Sequence, residues 1–142
     1  MSAPQVQDGP DERIVQLRRR DRRFARNAYY FVLDALDYTL VHYGKDRLTG
    51  EDRHVGAKEL LDGIRDLAAD QFGSMASFVF GQWGVKSTRD FGEVVFNLID
   101  AGLLSRREDD SRLDFADGFD FDMAFEEKFR QRLRDISEVS PV

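Results

Sequence analysis

The stretch Ser87-Thr88-Arg89-Asp90-Phe91-Gly92-Glu93-Val94-Val95-Phe96-Asn97-Leu98-Ile99-Asp100-Ala101-Gly102-Leu103-Leu104 decides how the chain is built. It opens on Ser-x-x-Asp, a start signal in which side-chain oxygens meet the free N–H groups of a first helical turn. Phe91, Val94, Val95, Leu98 and Ile99 then recur at helical spacing, and Gly102 supplies the stop. On a helical wheel Arg89, Glu93, Phe96, Asn97 and Asp100 point the other way. Beyond Gly102, residues 103–107 and 112–115 alternate in character around the polar turn Glu108-Asp109-Asp110-Ser111. That pattern predicts a small β-hairpin with strands of four or five residues.

Working outward, the same periodicity predicts three more helices upstream and one downstream. Residues 24–43 carry Phe24, Ala28, Phe31, Val32, Ala35, Leu36, Leu40 and Val41, with the polar positions Asn27, Asp34, Asp37 and His42 confined to one arc. So wide an apolar surface marks a central helix. Residues 57–71 give the most regular stripe, ending at Gly73. A short helix follows from Ser74 to Gly84, with Met75, Ala76, Val79 and Trp83 as its inner face. Downstream, Phe121, Phe125, Phe129, Leu133 and Ile136 fall four, four, four and three apart and predict a last amphipathic helix. Residues 1–12, polar and carrying Pro4 and Pro10, read as a disordered tail, residues 13–137 as one domain and residues 138–142 as a frayed end.

The expected fold is therefore mainly α with a small β-hairpin. Helix, helix, helix and hairpin is the element order of a winged helix-turn-helix, here with an N-terminal long helix and a C-terminal helix packed around it. That order serves DNA readers and protein-interaction modules alike, so it does not choose between them.

A chain of 142 residues has the length of one domain, and its net charge of -6 makes it acidic. Its Cys count is zero, which excludes disulfides, Cys-ligated metal and thiol chemistry and suits a reducing compartment. No apolar run approaches the roughly 20 residues of a membrane span, and the start lacks a signal-peptide core. A cytoplasmic protein that engages no membrane is expected.

Several strings together carry a more specific likeness: His54-Val55-Gly56, Glu59 through Arg65, Gln71 through Ala76, and Trp83-Gly84-Val85 with Thr88 through Leu98. Combined, they resemble an uncharacterised family of small bacterial proteins of the planctomycete and verrucomicrobial lineage. The likeness covers residues 21–129, while Gly56 and Lys58 depart from the Ser and Gln of the family pattern. The resemblance implies no activity and no cofactor.

Candidate chemistry is sparse. Asp90-Phe91-Gly92 matches the magnesium-binding tripeptide of protein kinases, but the chain is too short for a kinase and has neither a glycine-rich phosphate loop nor a His-Arg-Asp string. Asp34, Asp37 and His42 share one helix arc with Tyr30 and Tyr38, a composition able to move protons but without a nucleophile. Asp109, Asp110, Asp114, Asp117, Asp120 and Asp122 are dense in carboxylates yet lack EF-hand spacing. None of these groups makes a catalytic or metal site, and no cofactor is expected.

Charge is distributed unevenly. Residues 11–27 hold seven Arg against three acids, whereas residues 108–127 hold nine acids against one Arg. The tract Arg18, Arg19, Arg20, Arg22, Arg23 and Arg26 could contact phosphates or dock on the chain's own acidic segment. The outer face of the 88–100 helix, with two carboxylates and an aromatic against one Arg, is a poor reader of a DNA groove. The expectation is a non-enzymatic module for an unknown protein partner or for homo-oligomer formation through Arg89, Glu93, Phe96, Asn97 and Asp100. The alternative is nucleic-acid binding through the Arg tract in a regulatory role.

Overall fold

The computed structural model describes residues 1–2 and 9–139, apart from the side chains of residues 128, 129, 138 and 139. The protein is mainly helical. Its α-helices are α1 (Pro10–Arg20), α2 (Arg26–His42), α3 (Ala57–Phe72), α4 (Ala76–Gln82), α5 (Thr88–Asp100) and α6 (Phe121–Val139). Short 3-10 turns at Gly50–Arg53, Gly73–Met75 and Arg112–Phe115 connect them. No described helix is long and apolar enough to cross a membrane.

The wide apolar arc of α2 makes it the central element, burying Ala28, Tyr29, Phe31, Val32, Ala35, Leu36, Thr39 and Leu40. It packs against α3, α5 and α1. At the α2–α3 crossing Gly63 lets the two backbones approach, because a Cβ there would overlap Thr39 Oγ1. That hydroxyl is itself satisfied by donating to the Ala35 carbonyl at 2.6 Å.

The aromatic core centres on Phe80 of α4, which is fully buried. Its ring meets those of Phe91 at 4.9 Å, Phe121 at 5.1 Å, Phe31 at 5.6 Å and Phe125 at 5.7 Å between centroids. Edge-to-face geometry in several of these pairs adds to the burial of apolar area. The inner face of the short fourth helix thus differs from the expected one. Phe80 and Ala76 are buried, Val79 and Trp83 are partly covered, and Met75 is exposed. After Trp83 the chain turns at Gly84, whose φ of +84° suits glycine and whose missing Cβ leaves room for the Arg23 carbonyl.

Two expectations need correction. The 1–12 segment is not a featureless tail. Met1 is buried, Ser2 and Ser105 exchange backbone hydrogen bonds at 3.2 and 2.7 Å, and α1 starts at Pro10, while residues 3–8 lie outside the described residues. Helix α1 obeys the rules of helix ends, with Pro first, Asp11 and Glu12 in the first turn, Arg18, Arg19 and Arg20 in the last, and Ile14 and Leu17 inward. At the other end α6 runs to Val139, and residues 140–142 of the expected frayed end lie outside the described residues.

The second correction concerns the hairpin. Among the described residues there is no β-strand, only the isolated Ser2–Ser105 bridge. Residues Arg112–Phe115 form a 3-10 turn instead. Ser111 accepts from the Leu113 N–H while Asp114 accepts from the Ser111 N–H, a reciprocal cap that favours a helical turn. The turn buries Phe115 over Gly92, where a Cβ would stand 2.9 Å from that of Phe115.

Candidate functional site

The outer face of α5, read in the sequence as an interaction surface, is largely covered by the chain itself. Phe96 is only 6% exposed. The guanidinium groups of Arg106 and Arg112 lie 5.6 and 5.2 Å from its ring centroid, two cation–π contacts supplied by the segment that was expected to be a hairpin. Asn97 is also buried, donating its amide to Asp21 Oδ2 at 2.9 Å and to the Tyr29 hydroxyl at 3.1 Å. Glu93 stands 3.7 Å from Arg23 and 3.3 Å from Arg112, and Asp100 lies 3.9 Å from Arg112. Arg89 is exposed. Only Arg89 and Asp100 of the five expected surface residues are freely exposed, because the outward aromatic found cover within its own chain.

Asp21 is the anchor of this network. Arg23 donates to both its carboxylate oxygens, from Nε at 3.0 Å and from Nη2 at 2.7 Å, and the Arg23 N–H adds a third bond. The hydrogen bonds from Arg23 hold the Asp21 carboxyl far below the usual carboxylate range. Arg23 therefore works as a structural clamp. Arg18 donates to the Phe24 carbonyl at 3.3 Å, and the remaining tract residues Arg19, Arg20, Arg22 and Arg26 are exposed.

Titratable groups also gather where the chain start meets the loop before α3. The Met1 amino group lies 2.8 Å from His54 Nε2 and donates to the Val55 carbonyl. His54 Nε2 is 3.2 Å from Asp110 Oδ2. Burial pushes the amine down to about 6 and also lowers the His54 imidazole. Lys45 bridges Glu59 and the His54 carbonyl. These contacts tie three loops together.

The other sequence candidates have local duties. Asp90 accepts from the Lys86 N–H at 2.8 Å, ahead of α5. Asp120 accepts from the Met123 N–H, and Asp122 from the Ser77 hydroxyl. Among the described residues no three His, Cys, Asp or Glu converge to hold a metal ion. Asp34, Asp37 and His42 are exposed, with His42 stacked on Tyr38 and edge-on to Tyr43. Partial desolvation against the helix surface and the neighbouring Asp34 carboxylate raise the Asp37 carboxyl.

Sequence periodicity draws a single apolar stripe along α6, and the structure covers only its proximal half. Phe121 and Phe125 are buried, yet Leu133 and Ile136 of the same apolar stripe are 49% and 63% exposed. Arg132 pairs with Asp70 of α3 at 3.1 Å, after which the helix outruns its support. Next to it, Met75 and Phe78 are exposed on the turn and helix that pack against α6. Between these elements runs a groove of about 350 Å³ lined by Ser74, Ser77, Asp122, Phe125 and Glu126. A stripe at perfect helical spacing says which face is apolar, not how far the rest of the protein reaches along it.

The chain matches no protein-family model, no curated protein and no solved structure. The family likeness therefore rests on the quoted strings alone.

Proposed function

We propose that the protein is a non-enzymatic self-association module in which α6 of one copy docks on α6 and α4 of a second. The carrying observation is the apolar stripe of α6, buried at Phe121 and Phe125 but exposed at Leu133 and Ile136. Charge complementarity selects the occupant. Residues 120–127 hold Asp120, Asp122, Glu126 and Glu127 with no cation, and residues 128–134 hold Lys128, Arg130, Arg132 and Arg134 with no acid. An antiparallel pair with its two-fold axis near residue 128 sets each acidic half against the other copy's basic half. It also delivers Leu133 and Ile136 to the groove beside Met75 and Phe78. Full burial of such side chains is worth about 1.5–3 kcal/mol each, and the symmetry doubles the sum.

This reading keeps the protein-interaction role expected from the sequence and moves it from α5 to α6. The succession α3, α4, α5 follows the three-helix order expected from the sequence, an order that serves interaction modules and DNA readers alike. Sedimentation equilibrium tests the proposal. The native chain is expected to dimerise, and Leu133→Asp with Ile136→Asp to leave a monomer of unchanged helical signal, since both side chains are exposed in the single copy. A native chain that stays monomeric at about millimolar concentration, where even a contribution of about 4 kcal/mol would register, overturns it.

A further inference from the structure

The turn between α1 and α2 carries a concentration of cations that the fold does not consume. Residues 13–26 contain seven Arg and no Lys. Arg23 is committed to Asp21 and Glu93, and Arg18 to the Phe24 carbonyl. Arg19, Arg20, Arg22 and Arg26 are exposed and, among the described residues, have no carboxylate within 4.0 Å. Of the nearby acids, Asp21 is engaged by Arg23 and Asp11 by the Tyr30 hydroxyl, while Glu12 is exposed beside Arg19 and Arg20 and offsets part of their charge. Among the described residues no ion pair joins Arg18 through Arg26 to the acidic segment 108–127.

Two surface grooves meet at Arg19. One, of about 640 Å³, runs past Glu12, Gln16 and Arg20 toward Ala101, and the other, of about 300 Å³, past Val15, Arg18 and Arg22, so the smaller groove is lined by cations without a carboxylate. Adjacent cations left facing one another repel, and a polyanion laid across both grooves would relieve that repulsion. Guanidinium forks match phosphate oxygens two at a time. Among the described residues Val15 is the only large apolar side chain exposed there, which disfavours insertion into a lipid surface. The net negative charge elsewhere acts weakly at contact, because screening extends over only about 8 Å at physiological salt.

We infer that the Arg19, Arg20, Arg22 and Arg26 surface binds the phosphodiester backbone of a nucleic acid. Contacts of this kind position a chain on phosphates and carry no base readout, so binding is indifferent to sequence. Fluorescence anisotropy of the full chain with fluorescein-labelled polyuridine RNA and with duplex DNA, each about 20 nucleotides or base pairs long, tests this and separates single strand from duplex. At least one probe is expected to bind at about 50 mM salt and to be released toward about 200 mM. The log–log slope should be about -2 to -4.5, as for three to five phosphates. Substituting Arg19→Gln, Arg20→Gln, Arg22→Gln and Arg26→Gln together should weaken binding at least about tenfold while the chain keeps its helical signal and cooperative unfolding. Removing cations elsewhere, with Arg47→Gln and Lys86→Gln, should leave it unaltered. Failure of both probes at low salt, equal binding by the quadruple variant, or tighter binding to phosphatidylserine vesicles or polyglutamate than to either nucleic acid would overturn the inference.

Discussion

Phe80 and Phe96 show how differently two aromatics of similar burial are held. Phe80 sits among four rings from three other elements, so Phe80→Ala leaves a cavity that none can fill alone, at an expected cost of about 3–5 kcal/mol in urea unfolding. A loss under about 1 kcal/mol would contradict the central place of that ring. Phe96 is covered by two exposed arginines that can relax, so Phe96→Ala should cost less than Phe80→Ala. Asp21 links this face to the start of α2, and its stabilisation depends on charge. Its carboxyl is held below the unfolded value near 3.9, so the contribution is complete above that value and is lost as the pH falls below about 4 toward its folded pKa. Asp21→Asn is therefore expected to lower stability by about 1.5–3 kcal/mol at pH 7, with the gap to the native chain closing below pH 4. A gap constant from pH 7 to pH 3 would remove the charge from the explanation.

Among the elements, the legible ones carried long apolar periodicity: α2, α3, α5 and the proximal part of α6 all run within two residues of their expected bounds. Helix α1 escaped because two inward residues, Ile14 and Leu17, make too weak a stripe against so many charges. Pro10, the first-turn acids and the last-turn arginines signalled it nonetheless. The hairpin failed for the converse reason. Alternation over four or five residues is weak support for a strand, and the cap between Ser111 and Asp114 favours a helical turn with Phe115 drawn inward. Ser111→Ala should cost about 1 kcal/mol by loss of that cap, measured by urea unfolding, and an unchanged midpoint would count against it. Gly63 sets the α2–α3 spacing in a way no periodicity announces. Gly63→Ala gains helix propensity of up to about 1 kcal/mol, yet the overlap with Thr39 should leave the variant destabilised by about 1–3 kcal/mol, and a stabilised variant would show that the crossing yields.

At the scale of the whole molecule, the candidate site was the least legible part, because exposure depends on where neighbouring elements stop. The sequence placed Phe96 outward and Leu133 and Ile136 on the apolar stripe of an amphipathic helix, whereas in the structure Phe96 is covered and Leu133 and Ile136 are exposed. The folded molecule has a covered α5 face, a cationic corner at α1 and an apolar helix end at α6. The absence of Cys allows a single introduced thiol to report the arrangement of two copies. Spin labels at Gln131→Cys and, separately, at Ser137→Cys are both on exposed positions of α6. Double electron–electron resonance between copies then tests the antiparallel pairing directly. With the two-fold axis near residue 128, equivalent labels at residue 131 lie about 9 Å apart along the helix axis and those at residue 137 about 27 Å, so the measured distance should rise steeply between the two sites. Equal short distances at both sites, or no dipolar signal between copies, would contradict the account.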